Sequence, residues 1–139
     1  MEKKLTEIET KKKYLQGYEK AKKQMERSEI RIHEMRMNQL YPSMVTDGMP
    51  HASGCADLSK YASLLDEEER KYIKARYLRM KRCQEIMDKI ERMENEDEKD
   101  VLVYRYIKLW DWGKIASKIG VCLRRVHYIH SDALNHFCL

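Results

Sequence analysis

Between Trp112 and Ser131 the chain sets small, apolar and cationic side chains at spacings that suit recognition of another molecule. Ile115 and Ile119 are four apart and share one helical face, and Ala116 supplies a small side chain where two helices could cross. Gly120 follows at a turn position where a left-handed backbone is cheap only for glycine. Val121, Val126 and Ile129 then close a core from a second helix. On that phasing Leu123, Arg124, His127, Tyr128 and Ser131 point away from the core. A guanidinium such as that of Arg124 can bond guanine through two donors, and Leu123 could touch a thymine methyl. Lys114, Lys118 and Arg125 are placed for phosphates. The pattern predicts a helix-turn-helix within about 101–137, whose second helix, about Leu123 to Phe137, meets double-stranded DNA. Its expected base contacts are Leu123, Arg124, His127, Tyr128 and Ser131, and its expected phosphate contacts are Lys114, Lys118 and Arg125.

Other chemistries find less footing. His127 and His130 are three apart, with His136 and Cys138 following, but no second ligand pair stands upstream to complete a zinc site. No metal is expected, and these histidines are read as packing or phosphate-contact residues. The run Asp66-Glu67-Glu68-Glu69 scatters its carboxylates around a helix, as a solvated face does. No Ser/His/Asp or Cys/His arrangement has supporting context, and no glycine-rich phosphate loop occurs. The reading is therefore not an enzyme, with no catalytic residues and no cofactor.

The rest of the chain must position that module. Of 139 residues, 42% are hydrophobic and 37% charged, against the usual ~25% charged. With two prolines and five glycines there is little turn chemistry, so long helices with solvated faces fit and an all-β fold does not. The formal net charge is +5. From Val101 onward Arg105, Lys108, Lys114, Lys118, Arg124 and Arg125 stand against Asp111 and Asp132, a local +4 that favours phosphates.

Residues from about Glu2 to Gln39 place Tyr14, Tyr18, Ala21, Met25, Ser28, Ile32 and Met35 in alternating steps of four and three. That is a heptad seam, loosened where Gly17 costs about 1 kcal/mol against Ala. A Pro/Gly loop is expected at about 41–57, with Pro42 stopping the helix and Asp57 or Ser59 capping the next. A second helix is expected from about Leu58 to Glu94, with Leu65, Tyr72, Ile73, Met80, Cys83, Met87 and Ile90 on its buried stripe. Asn95 then opens an acidic hinge. The expected fold class is all-α: a long N-terminal antiparallel helical hairpin, coiled-coil-like, over 1–95, followed by a small helix-turn-helix domain over 96–139.

The stretch from Trp112-Gly-Lys-Ile-Ala-Ser-Lys-Ile-Gly to Arg125-Val-His-Tyr-Ile-His-Ser-Asp-Ala-Leu resembles the fourth conserved region of bacterial sigma factors. It is similar also to the small phage-encoded regulators of the ArpU and RinA type, which end in a sigma-like helix-turn-helix. The segment Gly48-Met-Pro-His-Ala-Ser-Gly-Cys-Ala-Asp-Leu resembles a loop that such proteins carry after an N-terminal helix. The resemblance implies a phage or prophage transcriptional regulator. The chain departs from the pattern at Cys122, where Ser or Thr usually caps the recognition helix, and at Tyr128, a site often basic in that family.

The expected partners are double-stranded DNA, a second copy of the chain as a homo-oligomer, most simply a dimer, and RNA polymerase as a further protein contact. Two other readings share these elements: the DNA-recognition (small) subunit of a phage packaging terminase, and a sigma-like module that holds RNA polymerase. No run approaches the ~18 apolar residues of a membrane span, and no apolar run follows the charged start as in an export signal. Cys55, Cys83, Cys122 and Cys138 are scattered as free thiols would be, so a reducing cytoplasm is the expected location.

Overall fold

The computed structural model describes residues 1–40 and 54–139 and, for side chains, 1–37 and 58–139. Every regular element among them is helical: α1 (Glu2–Leu15), α2 (Gly17–Leu40), α3 (Gly54–Glu91), α4 (Glu96–Leu102), a π-helical turn (Val103–Ile107), α5 (Trp112–Ile119) and α6 (Leu123–His136). No described helix is long and apolar enough to cross a membrane. The expected Pro/Gly loop lies outside the described residues up to residue 53. Its last residues, however, already belong to α3, so the second long helix starts at Gly54 rather than near Leu58. That start leaves Asp57 and Ser59 inside the helix instead of capping it.

The N-terminal helix is long and bent, breaking at Gln16 between α1 and α2. Gly17 has a packing reason as well as a loosening one. A Cβ there would meet Arg82 Nε at 3.2 Å, and the Arg82 guanidinium lies 5.5 Å from the centre of the Tyr14 ring. A bare glycine lets that guanidinium approach the helix.

The chain divides into two compact units, residues 1–21 with 79–139, and residues 22–78. In the first, Tyr18 receives a hydrogen bond from Arg79 Nε at 3.3 Å, while Tyr14 meets Arg82 and, at 4.4 Å, the Lys89 ammonium. Its larger core joins Leu15, Tyr18, Ile86, Ile90, Met93, Leu102, Tyr106, Ala133, Leu134 and Phe137. Lys11 is buried against it and donates to the Leu134 carbonyl at 3.0 Å, a cation placed on the last turn of α6 where it meets unsatisfied carbonyls. A second core holds Val101, Ile115, Ala116, Val126 and Ile129, with Tyr104, Trp110, Trp112, Ile119 and Val121 packed around it.

In the second unit Met25, Ile32 and Ala75 are buried, and Arg36 Nη2 lies 2.8 Å from Glu69 Oε1. Along the first long helix Tyr14, Tyr18, Ala21, Met25, Ser28, Ile32 and Met35 are all buried or half-buried. On α3 the expected stripe is only partly right. Leu65, Tyr72, Cys83, Met87 and Ile90 are shielded, but Ile73 is 65% and Met80 62% exposed. The shielded positions instead run Tyr61, Leu65, Glu68, Tyr72, Ala75, Arg79, Arg82 and Ile86, again in steps of four and three. Charged residues occupy three of these places: Arg79 donates to the Tyr18 hydroxyl and Arg82 lies against the Tyr14 ring, while Glu68 has Oε2 buried without a hydrogen-bond partner.

Phe137 is fully buried at the end of α6 and packs 6.2 Å from the Tyr14 ring. Phe137→Ala should lower the unfolding free energy by about 3–5 kcal/mol. Leu5→Ala, at an exposed position, should change it by no more than about 0.5 kcal/mol. Urea titration followed by circular dichroism measures both; equal effects would misplace the core.

Candidate nucleic-acid interface

The region after residue 94 is built from local signals. Asn95 caps α4, its side chain accepting from the Glu98 N–H at 3.2 Å. Asp111 caps α5, accepting from the Lys114 N–H at 2.7 Å, a cap the sequence reading did not single out. Three residues join α5 to α6. The first, Gly120, has φ +81°, and its N–H bonds the Ala116 carbonyl at 2.9 Å, as does the Val121 N–H at 3.1 Å. Cys122 stands at the N-cap of α6 with cap-like dihedrals but no side-chain hydrogen bond. A thiol there leaves the first N–H groups of α6 without the acceptor a hydroxyl would give.

α6 buries Val126, Ile129, His130, Ala133 and Leu134. Its opposite face carries Leu123, Arg124, His127, Tyr128 and Ser131, all exposed. These five line one open groove of about 430 Å³. Arg124 Nη2 donates to the Tyr128 hydroxyl at 3.3 Å, and its guanidinium lies 5.7 Å from the Tyr128 ring centre. Leu123 is 50% and Tyr128 53% exposed, so the groove pairs apolar surface with one cation. Lys114, Lys118 and Arg125 are exposed but do not line it. Lys114 instead holds its ammonium 4.3 Å from the centre of the Trp110 ring.

Behind the groove sits an aromatic cluster. Trp112 packs on His127 at 4.7 Å and edge-on to His130 at 4.8 Å. The Arg105 guanidinium lies 4.2 Å from the Trp112 ring and donates to the Trp110 carbonyl at 3.1 Å. Tyr104 stacks on Trp110 at 4.7 Å. The alternation of aromatic and basic residues from Tyr104 to Trp112 is the signal in the sequence; the charge count includes Arg105 and Lys108, but not their place against Tyr104, Trp110 and Trp112.

The histidines separate by environment. His130 is buried, 2.8 Å from the Tyr106 hydroxyl through Nε2. Burial, helped by the charges of Lys12, Arg105 and His127, pushes its pKa down to about 4. Burial pushes the Tyr106 hydroxyl up to about 12, against the opposing pull of Arg105, so both partners are neutral near pH 7. His136 is exposed and meets both carboxylate oxygens of buried Glu98, at 2.9 and 3.0 Å. That hydrogen bond, with the Glu98 charge, raises the His136 pKa. Among the described residues no group of His, Cys, Asp and Glu is arranged to hold a metal, and Cys83, Cys122 and Cys138 are free.

Two outcomes follow. Cys122→Ser should supply the missing cap and raise stability by roughly 0.5–1 kcal/mol, read by thermal melting; a loss would mean that the thiol packs in a way a hydroxyl cannot. Because His130 takes up its proton near pH 4 in the fold but near 6.5 when unfolded, acid should favour the unfolded chain between those values. Stability should fall by up to about 1.4 kcal/mol per pH unit as pH drops through that window. The His136–Glu98 pair works the other way: its contribution is complete below about pH 6.5 and fades as pH rises through the raised His136 value. Urea titrations at pH 7 and pH 5 on the parent chain and on His130→Gln separate the two. An unchanged slope in His130→Gln would acquit His130.

Compared with protein-family models, with curated proteins and with solved structures, the chain matches none.

Proposed function

We propose that this chain is a sequence-specific DNA-binding regulator of transcription, with α5 and α6 forming a helix-turn-helix and α6 acting as its recognition helix. One observation carries the reading: α6 sinks one face into two cores, and its other face presents Leu123, Arg124, His127, Tyr128 and Ser131 along a single groove. Those are the side chains that a helix lying in a major groove would offer to base edges. A small Ala116 beneath the crossing and the left-handed Gly120 support the same reading. Lys114, Lys118 and Arg125, exposed around the turn, supply phosphate contacts that set register without reading sequence.

In this reading residues 96–139 carry the DNA-binding elements, packed in one unit with residues 1–21 and 79–95, and the long helices of residues 1–95 also serve assembly or polymerase contact. The seam of α1 and α2 is already shielded within the chain, which favours other apolar residues as the surface for a second copy. Exposed Ile30, Met37, Leu64, Ile73 and Tyr77 in residues 22–78 are better suited to that. A dimer would present two recognition helices to two half-sites. The resemblance to the ArpU and RinA type supports a phage or prophage setting and action on DNA in the cytoplasm.

Arg124→Ala should weaken binding to a site selected from random duplex DNA by about 1–3 kcal/mol and relax preference at one base pair. Fluorescence anisotropy on the selected site and its single-base variants measures this. Equal weakening on every sequence would make Arg124 a phosphate contact and leave α6 without its reader.

A further inference from the structure

The segment between the π-helical turn and α5 is bent in a way its sequence does not favour. Leu109 has φ +58° although it is not glycine, a conformation that L side chains with a Cβ seldom adopt. Its neighbours are tied down on both sides. The Lys108 N–H bonds the Val103 carbonyl at 3.0 Å, and the Trp110 N–H bonds the Tyr104 carbonyl at 2.9 Å. Arg105 adds its bond to the Trp110 carbonyl. Backbone strain held by so many bonds serves to place something. What it places is the Trp110 ring, stacked on Tyr104, with two ammonium groups against it: Lys114 at 4.3 Å and Lys108 at 5.1 Å.

Lys108 and Lys114 come from different elements, are both exposed, and neither is ion-paired among the described residues. The nearest acid in sequence, Asp111, has its Oδ1 bonded to the Lys114 N–H. The pair is also joined to the recognition face. Arg105 bonds the Trp110 carbonyl and covers Trp112, and Trp112 packs on His127 of the groove. A ring that holds two ammonium groups, neither of them paired with a carboxylate among the described residues, prepares a site for a polyanion.

We propose that Lys108, held with Lys114 on the Trp110 ring, is a further contact to the sugar-phosphate backbone of duplex DNA, flanking the bases that α6 reads. This rests on the DNA-binding reading above. The strained turn fixes where the backbone crosses the protein, while Arg124 and its neighbours read sequence. Lys108 thereby sets affinity and register, and carries no base preference.

The test is a salt titration with the full chain on two probes, a duplex selected from a random pool and a random-sequence duplex of equal length. Each phosphate charge removed should lower the slope of log affinity against log salt by about 0.9. Lys108→Ala should show that drop on both probes and weaken both alike, whereas Arg124→Ala weakens the selected duplex more. Lys108→Arg should keep the parent slope. None of these exposed changes threatens the core, and circular dichroism checks that. If Lys108→Ala leaves slope and affinity unchanged while Arg124→Ala loses selectivity, this inference falls and the DNA reading stands. If the parent chain binds neither duplex, both fall.

Discussion

α6 has to satisfy two cores at once, and the arrangement of the C-terminal region follows from that constraint. Val126 and Ile129 join Val101, Ile115 and Ala116, while Ala133 and Leu134 join Leu15, Ile86, Ile90 and Phe137. His130 lies between them on the helix, neutral and bonded to Tyr106. Five inward positions over three turns leave α6 no freedom to rotate about its axis. Its outward face is therefore fixed as firmly as its inward one, and that rigidity is what recognition of base edges demands.

The elements around α6 give up regularity in order to fit. The helix that begins at Glu96 widens into a π-turn at Val103 and ends on the left-handed Leu109, departures that recur where a protein positions functional groups. Three aromatic rings of this segment and α5, Tyr104, Trp110 and Trp112, pack partly buried against the second core while their faces receive Arg105, Lys108 and Lys114. Apolar burial and cation placement are achieved by the same side chains.

The sequence was most legible where one physical requirement acts alone. The seam from Tyr14 to Met35 could be read because every member is small or apolar apart from Ser28, and all seven positions are shielded. Gly120 could be read because a left-handed turn leaves few other residues. α3 was harder. Its seam passes through Glu68, Arg79 and Arg82, so a search for apolar residues slid onto Ile73 and Met80, which face outward. Its start was misjudged because the glycine at position 54 looked like loop chemistry and is the first helical residue. Of the candidate interface, the five outward residues of α6 followed from phasing alone. The Lys108–Trp110–Lys114 cluster did not, because it depends on a π-turn and a strained leucine that no simple periodicity marks.

Whether α6 reads duplex sequence, as proposed, is decided by one direct measurement. The full chain is mixed with a random pool of duplex DNA, bound fragments are recovered through several rounds, and the enriched pool is sequenced. A recognition helix with Arg124 at its first turn should enrich one short motif that contains a guanine at a fixed position. Recovery of fragments with no shared motif, or of none above background, would contradict sequence-specific reading by α6.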